Sequence, residues 1–179
     1  MAGLNKYDRA LCYRLHDSTR WPDFPDGNFL DRLDRVATRA LAKRTTEGYL
    51  AAILIYHQLA EEILRLLLCD AQFHIQLAVF PVHIAFADRP KQMFGQLQQQ
   101  LAETVDFWEK DRLIEKANQL NSVRIGIVHK LTRRGSLAGV AKEAKKARRL
   151  CEAIFGHFEV AHDSFRLIFH DFKKNLFVD

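Results

Sequence analysis

Apolar residues recur along this chain at intervals of three and four, and they almost nowhere alternate with polar ones. That is the period of helices with one buried face. No turn dipeptide lies between alternating runs, so the pattern predicts an all-α protein. A short helix is expected over 7–15, then a turn-rich loop through Trp21-Pro22 and Phe24-Pro25-Asp26-Gly27. The next helix should start at Asn28, a good N-cap, with Asp31 in its first turn, and end near Lys43-Arg44. Thr45 or Thr46 should cap a third helix over 49–69, which is apolar round most of its circumference and therefore central. It continues or restarts over 73–79, before Pro81. Phe94, Leu97, Leu101, Val105 and Trp108 predict an amphipathic helix. Another should span 109–133, ended by Gly135. The last runs from Leu137 with Cys151, Ile154, Phe155 and Phe158 on its apolar stripe and a break near Asp163-Ser164. No linker or repeat divides the chain. We expect an N-terminal extension over 1–27 and one antiparallel helical bundle over 28–179.

One stretch breaks the pattern. In NSVRIGIVHK, residues 121–130, an amide, a guanidinium and an imidazole interrupt an apolar run. Leu113, Ala117, Leu120, Ile127 and Leu131 form a helical stripe, and Arg124 falls on it where a leucine would fit. A guanidinium is rarely buried without partners, so Arg124 must meet an anion or amide, or face a cleft or subunit boundary. His129 lies five residues on, about 140° round an ideal helix. Bringing the two together needs a bend, with Gly126 as the weak point, a helix end near His129, or a second copy of the chain.

At 179 residues the chain is long enough to bury a core, and its 13 phenylalanines supply more apolar bulk than a solvated rod needs. The net charge is +5, unevenly placed. From Lys130 to Arg149 the basic residues Lys130, Arg133, Arg134, Lys142, Lys145, Lys146, Arg148 and Arg149 face one acid, Glu143. Such a run attracts a phosphate backbone, though an exposed helix face kept soluble by lysines reads the same way. Charges scattered through 1–20 argue against a signal peptide, and no apolar run reaches membrane-span length. Cys12, Cys69 and Cys151 are far apart and odd in number, which suggests reduced, buried thiols in a cytoplasmic protein.

Several chemistries find no motif. There is no Walker loop, GxGxxG, GxSxG, HExxH or calcium loop. His57 and Glu61, four apart, could hold one side of a metal site, but no second ligand pair accompanies them, and a hydrogen-bonded pair is the simpler reading. His157 and His162 are badly spaced for shared ligation. Cys151 borders the basic run but falls on an apolar stripe, which favours packing over reactivity.

Around Arg124-Ile-Gly-Ile-Val-His129 the chain resembles the HEPN superfamily, whose signature is an arginine, four to six residues and a histidine. Asn121 stands where that family often has a polar residue. The segment IYHQLAEEILRLLL and Phe94–Leu97, FGQL, also look like such domains, and the similarity spans about 28–165. The resemblance implies a helical domain of prokaryotic defence or toxin systems, working as a homodimer, in some cases beside an antitoxin or other defence partner protein. It implies metal-independent RNA cleavage with no cofactor, in which the ribose 2′-hydroxyl attacks the adjacent phosphorus. His129 would transfer protons, Arg124 would stabilise charge on the phosphoryl oxygens and Asn121 would orient one of them. Lys130, Arg133, Arg134, Lys142, Lys145, Lys146 and Arg149 would hold the RNA backbone. A twofold axis would let both copies of the motif line one groove.

Two departures bear on this. Ile125 follows the arginine where many active members carry a polar residue. Leu131 stands two residues after His129, where members nucleotidylated by a partner transferase carry tyrosine. Two readings therefore stand: a dimeric endoribonuclease, and a non-catalytic dimerisation or RNA-binding scaffold in which Arg124 is a structural ion.

Overall fold

The computed structural model describes residues 5–86, 92–128, 137 and 139–175, and among them every regular element is helical. The helices are α1 (Lys6–His16), α2 (Gly27–Ala42), α3 (Thr46–Ala78), α4 (Phe94–Ala102), α5 (Lys110–Val128) and α6 (Val140–Asn175), with a single 3₁₀ turn at Ser18–Arg20. α3 is the centre, packing against α2, α4, α5 and α6. Its composition requires this. Ile53, Tyr56, Ile63, Leu64, Leu67 and Phe73 point in several directions, and all are buried. α6 covers α3 and α5, and α1 lies on α6. Leu15 and Trp21, from the first 27 residues, belong to the same core as α3.

Local chemistry sets most ends. Asp26, not Asn28, caps α2, its carboxylate accepting the Phe29 N–H at 2.8 Å. An aspartate placed three residues before a free N–H captures it without help from Asn28. Thr45 caps α3 through the Gly48 N–H. α3 then runs unbroken for 33 residues, joining the two predicted segments, because nothing before Pro81 interrupts its hydrogen bonds. α6 is likewise continuous for 36 residues. The expected break at Asp163-Ser164 is absent, since Ser164 turns its hydroxyl back to the Ala161 carbonyl and stays within the helix.

α4 is the clear difference. It stops at Ala102, where Thr104 donates its hydroxyl to the Leu101 carbonyl, and the chain turns through Glu109 at φ 68° before α5. Trp108 is therefore exposed instead of lying on an apolar stripe, and Phe155 is half exposed. Cys12 and Cys151 are buried, but Cys69 is exposed on α3. No described helix is long and apolar enough to cross a membrane.

Candidate functional site

α5 carries the interrupted stripe. Leu113, Ala117, Leu120, Val123 and Ile127 are buried against the neighbouring helices, so the α5 register is fixed by five apolar contacts. That register leaves Asn121 and Arg124, one turn apart, half-buried at the edge of the stripe. Among the described residues the Arg124 side chain makes no hydrogen bond or ion pair. The helix passes Gly126 without interruption. His129, Lys130, Arg133 and Arg134 lie outside the described residues.

The group that meets Asn121 comes from α3. His57 Nε2 stands 3.3 Å from Asn121 Oδ1, and an amide oxygen only accepts, so the ring donates from Nε2. His57 is buried, with the Phe94 ring at 4.2 Å between centroids and tilted by 33°. Burial pushes its imidazole below the ordinary range. The nearby Arg124 charge acts in the same direction, while the Asn121 bond and Glu61 oppose it. The ring is therefore held neutral and acts as a hydrogen-bond donor.

His57 and Glu61 do not pair. Glu61 accepts from Arg65 at 2.6 Å, and Arg65 also donates to the Gln92 carbonyl just before α4. Among the described residues no group of three potential metal ligands occurs. Lys142, Lys145, Lys146 and Arg149 are exposed along α6. Arg148, on the same helix, is tied to Glu152 at 2.8 Å. Cys151 has its thiol pushed up to about 12 by burial, so it stays protonated and unreactive.

Two further polar features escaped the sequence reading. Asp70, wholly buried in α3, accepts from His162 Nδ1 of α6 at 2.7 Å. The opposite ring nitrogen of His162 accepts from Arg166 Nε at 3.2 Å. Arg166 reaches the Pro22 carbonyl and Asp23. The ring thus links Arg166 to the buried carboxylate and fastens the 21–24 segment to two helices. The only trace in the sequence is a single acid inside the apolar run LLLCDAQF. His157 Nδ1 similarly meets Glu109 Oε2 at 2.9 Å. There is also a cavity of about 550 Å³ where α3 floors the gap between α2 and α6. Leu30, Tyr56, Leu59, Ile63 and Phe155 form much of its lining.

Of these features, the Asn121–Arg124 edge is the one suited to an anion. A guanidinium without a partner among the described residues and an amide one turn away together offer planar, charge-assisted donors to phosphoryl or carboxylate oxygens. Compared with known protein families, curated proteins and solved structures, the chain matches none.

Proposed function

We propose that this chain is a HEPN-like, metal-independent endoribonuclease that acts as a homodimer in a toxin or phage-defence setting. The observation that carries the reading is Arg124. It sits half-buried at the edge of a core stripe, its side chain makes no hydrogen bond or ion pair among the described residues, and the Asn121 amide is one turn away. A half-buried cation with no anion paired to it among the described residues suits an incoming phosphate better than a structural role, which would need a built-in anion. Arg124 stabilises charge on the phosphoryl group, Asn121 orients one of its oxygens and His129 moves the proton. Lys142, Lys145, Lys146 and Arg149 on α6, with Lys130, Arg133 and Arg134, hold the RNA backbone.

The test is cleavage of RNA in EDTA by the wild type and by His129→Ala, with end-group analysis. Cleavage by the wild type alone, leaving 2′,3′-cyclic phosphate ends, supports the reading. Equal activity in both proteins assigns the cleavage elsewhere. Ile125, apolar and 40% exposed directly after Arg124, favours the second reading, a non-catalytic dimerisation or RNA-binding scaffold. Salt-sensitive RNA binding without cleavage, by folded dimer, would establish that alternative.

A further inference from the structure

We propose that His57 is a positioning residue for this site: its Nε2–H holds Asn121 Oδ1 against α3 and so turns the Asn121 Nδ2 amino group toward the phosphate bound at Arg124. The proposal rests on the ribonuclease reading for its catalytic consequence, but its geometry stands on its own observations.

A primary amide has an accepting end and a donating end, and only the donating end helps to bind a phosphoryl oxygen. On an exposed helix the two interchange by rotation about the last side-chain bond. Here the oxygen lies 3.3 Å from His57 Nε2. While the ring carries its proton on Nε2, flipping Asn121 would set its NH₂ against that N–H, which loses the hydrogen bond and leaves two donors facing each other. A mispaired buried donor costs about 1–3 kcal/mol, so the Nε2–H tautomer keeps the amide one way round. The outward NH₂ and the Arg124 guanidinium, one turn apart on α5, then present donors to the same oxyanion.

The anchor is itself well held. His57 is only 7% exposed, and Phe94 lies over its ring. Phe94 is placed in turn by α4, whose approach is tied to α3 by Arg65, bonded to Glu61 and to the Gln92 carbonyl. The support for the Asn121 amide is thus built from α3 and α4, neither of which contains the motif. His57 itself does not touch the substrate in this arrangement. Its imidazole is enclosed, and its Nε2 proton is already engaged.

The experiment compares His57→Phe and His57→Gln with the wild type. Phenylalanine keeps a ring against Phe94 and removes the donor. Glutamine keeps a donor of similar reach. Thermal unfolding confirms that each variant folds. Two readouts are taken. The first is steady-state RNA cleavage in EDTA. The second is the NMR spectrum of the wild-type His57 ring nitrogens and of the Asn121 side-chain amide, titrated with adenosine 3′-monophosphate. We expect His57→Phe to lower kcat about 10- to 100-fold, as loss of alignment does, with KM within about threefold. His57→Gln should recover most of that loss. We also expect the Nε2–H tautomer and an Asn121 amide signal that moves with the nucleotide in the wild type but not in His57→Phe. Equal kinetics in all three proteins, equal impairment of both variants, or an Nδ1–H tautomer would overturn the proposal. If the wild type cleaves no RNA, the ribonuclease reading fails, and the amide titration alone decides the positioning role.

Discussion

Removing His162 should be among the most damaging single changes in this protein. Asp70 has no exposed surface, its Oδ2 accepts from His162 Nδ1 at 2.7 Å, and its Oδ1 is buried without a hydrogen-bond partner among the described residues. In His162→Ala the carboxylate keeps its place but loses the donor to its Oδ2. Leaving a buried carboxylate without its partner costs about 3–5 kcal/mol. The removed ring also stacks on Phe158 at 5.2 Å, which adds to the loss. In a domain of this size such a cost lowers Tm by roughly 6–20 °C. Asp70→Asn should be much milder, because an amide oxygen still accepts from His162 and no charge remains to desolvate.

The double variant isolates the charge. With His162 absent, replacing Asp70 by asparagine should recover roughly 1–2 kcal/mol at pH 7. Burial already raises the Asp70 pKa, and the His162 hydrogen bond opposes that rise. A carboxyl whose folded pKa exceeds its ordinary 3.8 favours folding when protonated, and that favour is lost as the pH rises through the folded pKa. Hence His162→Ala and the double variant should converge as the pH falls from 7, since a protonated aspartate behaves like asparagine. Urea unfolding followed by far-UV circular dichroism at several pH values measures each step. Two results refute the reasoning: a His162→Ala loss below about 0.5 kcal/mol, or a double variant no more stable than the single one at pH 7.

Gly48→Ala should destabilise the α2–α3 junction. An added Cβ would lie 2.3 Å from the Ala40 carbonyl oxygen, a backbone atom. The helix-propensity gain of about 1 kcal/mol is then outweighed by an overpacking cost of about 1–3 kcal/mol, and a Tm above that of the wild type would show that the helices part freely. Burial lowers the pKa of His74, as it does for His57, below the ordinary 6.5, so the unfolded chain takes up these protons first and stability is lost as the pH falls through 6.5. His74→Phe should therefore lose less unfolding free energy than the wild type between pH 7 and pH 5, and parallel acid limbs would count against it. At pH 8 iodoacetamide should label Cys69, which is exposed, while the buried Cys12 and Cys151 react only on unfolding. Peptide mass spectrometry reads this directly, and early labelling of Cys151 would contradict its burial.

The helices of this protein were legible in its sequence because helical periodicity is a local property. The apolar coverage of α3 announced a central helix, and the sequence put Arg124 on the α5 stripe, where the structure leaves it half-buried at the edge. Asn121 and Arg124 could be singled out by the same logic, since each interrupts a pattern set by residues within two turns. Helix ends were less secure. Asp26 capped α2 in place of Asn28, and α4 ended at Ala102 although apolar residues continue at helical spacing through Trp108. There the turn that directs the chain into α5 overrides a local preference worth only tenths of a kcal/mol per residue.

Partnerships were decided by the tertiary structure alone. His57 meets Asn121 from 64 residues away, and Asp70 meets His162 from 92. In sequence His57 looked toward Glu61, one turn on, yet Glu61 went to Arg65 and His57 turned to another helix. A side chain at i can reach i+3 and i+4 on its own helix, but which face of which neighbour it meets depends on how whole helices pack. Hydrophobic spacing states that a face will be buried. Only the packing of α3, α4 and α5 together determines that a buried imidazole lies beneath the amide that accompanies Arg124.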